Sequence, residues 1–129
     1  MATNTNKKQF LCLHGKEQNR DVFKGRLGRL RHKARAVASF EIIEAPHDLP
    51  IRDGNEFALK TWYFREADGI QIEAGSLEQS LALIEMEWNS KLGTAEAYSG
   101  VLGFSQGGTL TGVIANMPAR FPGLDMVSK

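Results

Sequence analysis

The chain contains a single cysteine, Cys12, so no internal disulfide framework can hold it together. One lone thiol fits a reducing compartment. No stretch of eighteen consecutive apolar residues occurs, which excludes a helix able to cross a bilayer. The N-terminus, Met1 to Lys8, is polar and lacks the apolar segment of a secretory signal. Net charge is nearly absent as well: 16 Lys and Arg stand against 15 Asp and Glu, leaving +1. No global field therefore favours nucleic acid or an anionic membrane. His, Cys and Asp show no metal-ligand spacing. Gly107-Gly108-Thr109 lacks the Lys-Ser/Thr ending of a P-loop, and no G-x-G-x-x-G follows an apolar run. Repeats, low-complexity tracts and linker-like boundaries are missing too. These exclusions leave, by default, a cytosolic chain with at most one domain and no sequence signature of a metal site.

What remains is an ordinary globular balance, 42% apolar and 24% charged. A folded chain of 129 residues buries roughly two thirds of its unfolded surface, enough for a core. Gln9 to Leu13 is an apolar run closed by His14-Gly15 and predicts a buried strand entering a turn. From Asp21 the spacing turns helical, with Phe23, Leu27, Leu30 and Ala34 on one face. Gly25 and Gly28 each weaken that helix by about 1 kcal/mol relative to alanine. Phe40 to Glu44 predicts a second strand, stopped by Ala45-Pro46. Residues 46 to 75 hold no sustained period, and a connection this long is usually functional or partly mobile. Ser76 to Gln79 has the form of a capping box, followed by Leu77, Leu81, Ile84 and Trp88 at helical spacing, with Gly93 as the stop. Tyr98 to Gly103 predicts a third strand and Gln106 to Asn116 a helix ended by Pro118. Leu124 to Val127 reads as the opening of a fourth strand. This alternation predicts a parallel α/β sheet with helices on both faces. Ligand sites in such sheets lie beyond the carboxyl ends of the strands. His14-Gly15, Ala45-Pro46-His47 and Ser105 all fall there.

Gly103-Phe104-Ser105-Gln106-Gly107 is the most informative pentapeptide. It reads G-x-S-x-G, after the apolar run Gly100-Val101-Leu102 and before a helical stretch. In that context a serine can sit exposed on a sharp strand-to-helix turn and act as a nucleophile. The flanking Gly103 and Gly107 suit a turn that brings backbones close. The competing reading is an ordinary serine in a glycine-containing turn. The N–H of Gln106 is a candidate oxyanion donor, and the N–H of Lys16, reached through the permissive Gly15, is the second.

A serine needs a base to become a nucleophile near neutral pH. Residues 106 to 129 contain no histidine. His14 reads better as an imidazole that fixes its own turn than as a base. His47 reads better as a polar residue of a Pro-bounded loop, and His32 as solvated among basic neighbours. The basic stretch Lys24, Arg26, Arg29, Arg31, Lys33 and Arg35 is the solvated face of the helix rather than a phosphate-binding patch. Cys12 lies inside an apolar run and reads as buried and inert.

Leu11-Cys12-Leu13-His14-Gly15 with Gln18-Asn19, Ala45-Pro46-His47 with Leu49-Pro50, Trp62-Tyr63-Phe64, and Gly100 through Gly108 together resemble the FSH-type serine hydrolases of the α/β-hydrolase superfamily. The resemblance runs from about Phe10 to the C-terminus. The Gly-Phe-Ser-Gln-Gly block is shared with acyl-protein thioesterases and related carboxylesterases; the blocks around His14 and His47 are more specific. The resemblance implies a three-layer, α/β-hydrolase-like (Rossmann-like), mostly parallel sheet. It implies hydrolysis of a small acyl ester or thioester through an acyl-serine, with no metal or organic cofactor, in the cytosol or nucleus. Ser105 matches the nucleophile, and the backbones of Lys16 and Gln106 match the oxyanion positions. His47 and Trp62 are candidate pocket residues. Family members often carry an aromatic or apolar residue where Lys16 stands, so this pocket is expected to be more polar.

In the family the acid and the histidine follow the serine. The expectation is therefore that residues 1–129 form a partial hydrolase domain, truncated after the elbow helix and inactive alone. An exposed sheet edge would then favour oligomers. The alternative is a catalytically silent α/β module that binds a ligand or partner.

Overall fold

The computed structural model describes residues 7–50 and 59–124. Its centre is the parallel strand β1, Lys8–Leu13, flanked by β2, Ala38–Ile43, and β5, Tyr98–Gly103. Leu11 pairs in register with Glu41 on one side and Val101 on the other, and Leu13 with Ile43 and Gly103. β1 reads as a continuous apolar run because both its faces are covered. Leu11 and Leu13 face one core with Trp62, Leu81, Ile84, Trp88, Leu110 and Ile114. Cys12 faces the other, against Phe23, Ile42 and the partly buried Phe10 and Leu102. The strand alternation of period two thus serves two separate cores.

Between β1 and β2 the chain runs through α1, Arg20–Arg26, and α2, Gly28–Ala34. Asn19 caps α1 by accepting from the Val22 N–H at 2.9 Å. The sequence predicts one helix here, and the structure divides it at Leu27, φ −84° and ψ 0°. Gly25 and Gly28 flank the division, and nothing packs where their Cβ atoms would be. Only Phe23 of the expected apolar face is buried, while Leu30 is 46% exposed. Leu27 still packs against the Cys12–Ile42 core, and the stripe loses its partner surface at Leu30.

After β2 the chain makes a small antiparallel ribbon, β3, His47–Asp48, with β4, Lys60–Thr61. Lys60 N–H donates to Gln18 O at 2.8 Å and Glu17 N–H to Lys60 O at 3.0 Å, which stitches the ribbon to the loop after β1. Helix α3, Ala74–Ser90, follows. Its cap is Glu73, not Ser76: Glu73 Oε1 accepts from the Ser76 N–H at 2.6 Å, and Ser76 Oγ donates to Glu73 O. An anionic cap suits the positive helix N-terminus better than a hydroxyl. It also frees Ser76 Oγ to accept from the Phe64 N–H at 2.9 Å. Ser76's hydrogen bonds hold the Glu73 carboxyl below its usual range.

Helix α4, Gln106–Ala115, follows β5 directly. The strand opening expected at Leu124 to Val127 lies, beyond Leu124, outside the described residues. The strand order β2-β1-β5 means that the chain first moves outward from β1 and then returns past it. The direction of winding therefore reverses between β1 and β5. A crevice opens at the carboxyl ends of strands where winding reverses. Among the described residues no helix is long and apolar enough to cross a membrane.

Candidate active site

Ser105 stands at that crevice, one residue past Phe104 and immediately before α4. Its backbone, φ 56° and ψ −115°, lies at positive φ, outside the region L-residues prefer. Such a conformation costs about 1–3 kcal/mol and persists only where the surroundings impose it. Here the imposition is visible. Phe104 N–H donates to Leu13 O at 3.1 Å, Gly107 N–H to Phe104 O at 2.9 Å, and Thr109 N–H to Ser105 O at 3.0 Å. Backbone closeness explains both glycines. A Cβ on Gly103 would stand 2.2 Å from Gly107 O, and one on Gly107 would stand 2.2 Å from Leu13 O. The Ser105 side chain is exposed and makes no capping bond to α4. Its hydroxyl is therefore open to the cleft.

The cleft encloses about 480 Å³, and Lys16, Ser105 and Gln106 all border it. Its far wall is Tyr63, Phe64 and Arg65. Three residues expected from the sequence thus share one cleft. Gly15 is tightly seated: an added Cβ would meet Gln18 Oε1 and Phe104 Cδ2, both at 3.2 Å. Gly15 N–H donates to Gln18 Oε1 at 2.7 Å, which fixes the turn that carries Lys16.

His14 has both ring nitrogens hydrogen-bonded, and His47 does not line the cleft that Ser105 borders. His14 is fully buried. Its Nδ1 lies 2.7 Å from Gly15 O and donates to it, while its Nε2 accepts from the Ala45 N–H at 3.0 Å. This pairing assigns the neutral Nδ1–H tautomer. Burial pushes the imidazole below its ordinary value, partly offset by the Gly15 carbonyl. His47 Nε2 donates to Ser76 O at 2.9 Å, with the ring against Phe64. It supports the α3 entrance and is not part of the cleft lining. His32 is exposed on α2.

Trp62 also departs from the expected pocket position. It is fully buried in the larger core, and its indole N–H donates to His14 O at 2.7 Å. A large apolar ring with one donor is best placed where that donor finds a partner in the core. The pocket wall is its neighbours. Burial lifts the Cys12 thiol to about 12, with Glu41 adding to the rise, which keeps it protonated and inert. Among the described residues no cluster of His, Cys, Asp and Glu could hold a metal ion.

The residue that sequence reasoning undervalued is Gln106. Its backbone was expected at the site, but its side chain is a buried brace. Oε1 accepts from the Trp62 N–H at 2.8 Å, and Nε2 donates to Thr61 Oγ1 at 2.9 Å and to Tyr63 O at 3.2 Å. Thr61 Oγ1 in turn donates to Tyr63 O. The elbow is thereby locked to the cleft wall. A polar amide at the start of an otherwise apolar helix was the available signal; its partners, some forty residues upstream, were not readable.

Sequence comparison agrees with this geometry. An esterase of Aedes aegypti, AAEL000016, is 33% identical over 126 residues, covering 88% of this chain and 44% of the relative. An esterase of Drosophila pseudoobscura pseudoobscura, GA18864, is 34% identical over 125 residues, covering 90% and 42%. The human esterase OVCA2 is 29% identical over 137 residues, covering 88% and 59%. The chain thus spans about half the length of the curated relatives it matches. A family model described as Serine hydrolase (FSH1) matches residues 2–124, and the chain belongs to that serine hydrolase family.

Proposed function

We propose that this chain carries the nucleophile and the oxyanion donors of an enzyme that hydrolyses carboxylic esters or thioesters. The observation that carries the reading is Ser105 itself: a non-glycine residue held at φ 56°, exposed, at the lip of a cleft that Lys16 and Gln106 also border. Ser105 Oγ attacks the acyl carbon and its proton passes to a base. The backbone N–H groups of Lys16 and Gln106 stabilise the oxyanion, which then collapses with loss of the alcohol or thiol. Water repeats the sequence on the acyl-serine. The names of the curated relatives, all three esterases, support the reaction class.

The base is the piece this reading draws from outside the described residues. The chain has three histidines, His14, His32 and His47. Two are bound to backbone groups at the site's edge and the third is on α2. Residual rate from the oxyanion donors alone would be small, because loss of a triad's action costs on the order of 10⁶ in kcat. The test is mass spectrometry of the chain after incubation with a p-nitrophenyl ester or a fluorophosphonate, alongside turnover assays. A slow adduct confined to Ser105, absent from Ser105→Ala, is the expected result. An adduct elsewhere sinks the nucleophile assignment. Rapid turnover abolished by Ser105→Ala would instead place a working base within this chain.

A further inference from the structure

Charge around the Ser105 cleft is one-sided. Among the described residues that line it, Lys16 and Arg65 are cationic and none is anionic. The two come from different places: Lys16 from the turn after β1, Arg65 from the segment between β4 and α3. Among the described residues three other cations pair with carboxylates. Lys60 pairs with Asp48, Lys91 with Glu96, and Arg120 with Glu78 and Glu85. Neither cleft cation has such a partner among the described residues. Asp68 is near enough to Arg65 to feel its charge, but its carboxylate accepts from the Ile70 and Gln71 N–H groups.

Arg65 is also held in place. Its Nη1 donates to Ile70 O at 2.5 Å, and the guanidinium sits 5.9 Å over the Tyr63 ring. A guanidinium has five N–H donors, so most remain available. An ordered cation loses less freedom on binding than a mobile one. Tyr63, Phe64 and Leu49 supply apolar wall, suited to a hydrocarbon spacer.

Resting on the esterase reading above, we infer that the substrate is an ester bearing an anionic group, a carboxylate or a phosphate. Lys16 and Arg65 hold the anion while the carbonyl lies at Ser105. The anion could sit on the acyl side or on the alcohol side, and two isomeric probes separate these. Monomethyl glutarate carries it on the acyl chain and 4-acetoxybutanoate on the alcohol; dimethyl glutarate is the neutral control.

Binding is measured by amide chemical-shift titration of the intact chain, without turnover. At about 0.01 M salt at least one anionic ester should bind about tenfold tighter than dimethyl glutarate, as two exposed ion contacts allow. The preference should vanish near 1 M salt, where the screening length is about 3 Å. Lys16→Met, which keeps the backbone N–H, and Arg65→Gln should each reduce it, and the double variant should abolish it. Equal or tighter binding of the neutral diester overturns the inference. So does a preference that survives in the double variant, or no detectable binding of any probe at 10 mM, on the order expected for so weak a contact. Failure of Ser105 labelling would count against the esterase reading without moving this binding preference, so the two are separable.

Discussion

Alanine at Gly107 should unfold this protein more effectively than any polar substitution at the site. The added Cβ would lie 2.2 Å from Leu13 O and 2.7 Å from His14 O. Real Cβ contacts essentially never fall under 3.0 Å, so backbone must move. The atoms in the way belong to the central strand and its turn, not to a side chain that can swing aside. Leu13 O also accepts from the Phe104 N–H, so relief at one point breaks the bond that sets the elbow. Overpacking a core costs about 1–3 kcal/mol, and a displaced hydrogen bond adds about 1 kcal/mol. A loss of about 3 kcal/mol or more is therefore expected, against a total stability of about 5–15 kcal/mol for a small domain. Urea unfolding followed by circular dichroism reads it directly. With a slope of about 1–3 kcal/mol per molar, the midpoint should fall by at least about 1 M. Gly112→Ala is the control: it lies in the same helix with nothing within 4 Å, and should stabilise by about 0.5–1 kcal/mol. Gly93 is a poorer control, because its φ of 77° penalises any side chain despite open space. A Gly107→Ala midpoint within about 0.3 M of wild type, roughly the resolution of such a measurement, would refute the close-approach argument.

Other outcomes follow from the same geometry. Gly103→Val should be as damaging as Gly107→Ala, since its Cβ would meet Gly107 O at 2.2 Å; a thermal-melt series across both positions checks this. Gln106→Leu should leave the Trp62 N–H buried without an acceptor and cost about 1–3 kcal/mol, read as a lowered urea midpoint. His14 is neutral when folded, with its proton affinity lowered by burial, so the unfolded chain binds more protons between its folded value and 6.5. Stability should be full above pH 6.5 and fall as pH drops below it; a midpoint indifferent to pH between 7.5 and 5.5, or equally steep in His14→Gln, would contradict this. In the turnover assay Ser105→Ala should reduce an already slow ester hydrolysis to the buffer rate.

Much of the architecture was legible because it rests on local signals. Gln9 to Leu13 is apolar on both alternating faces, which only a central parallel strand requires. The turn at Ser105 was legible because its two glycines are demanded by backbone contact rather than by loop flexibility. Helix ends were less so. Ser76 and Gln79 make a plausible cap in isolation, yet Glu73 three residues earlier supplies a charged acceptor, and Ser76 is drawn to Phe64 across the fold. Likewise Phe23, Leu27, Leu30 and Ala34 describe one stripe, but only tertiary contact decides how much of it is covered. Trp62 and His47 were read from their neighbourhood in sequence. Their true positions depend on partners at His14, Ser80 and Ser76, which are 29 or more residues away at two of the three contacts.

The histidine of the His14-Gly15 turn shows how such long-range partners divide support from chemistry. An imidazole beside a candidate nucleophile invites a catalytic role, and distance alone would not dismiss it. Its hydrogen bonds do. Nδ1 is spent on Gly15 O and Nε2 on the Ala45 N–H, so the ring ties the end of β1 to the end of β2. The carbonyl of the same residue holds the Trp62 indole, and the Trp62 N–H is held by Gln106 at the elbow. This closes a ring of contacts from β1 through the cleft wall to α4 and back through the Phe104–Leu13 bond. Among the described residues the Ser105 hydroxyl borders the cleft and makes no capping bond to α4. On the proposed function such support would matter, since donors that must reorganise during reaction contribute little. Protonating His14 would cost the ring its Ala45 link, so acid should loosen the elbow before it unfolds the sheet. Amide exchange at Lys16, Ala45 and Gln106, compared between pH 7.5 and 5.5 after correction for intrinsic rates, would then show protection falling at these three positions ahead of Leu11 and Cys12. Uniform loss across all five would mean that the turn and the strand open as one unit.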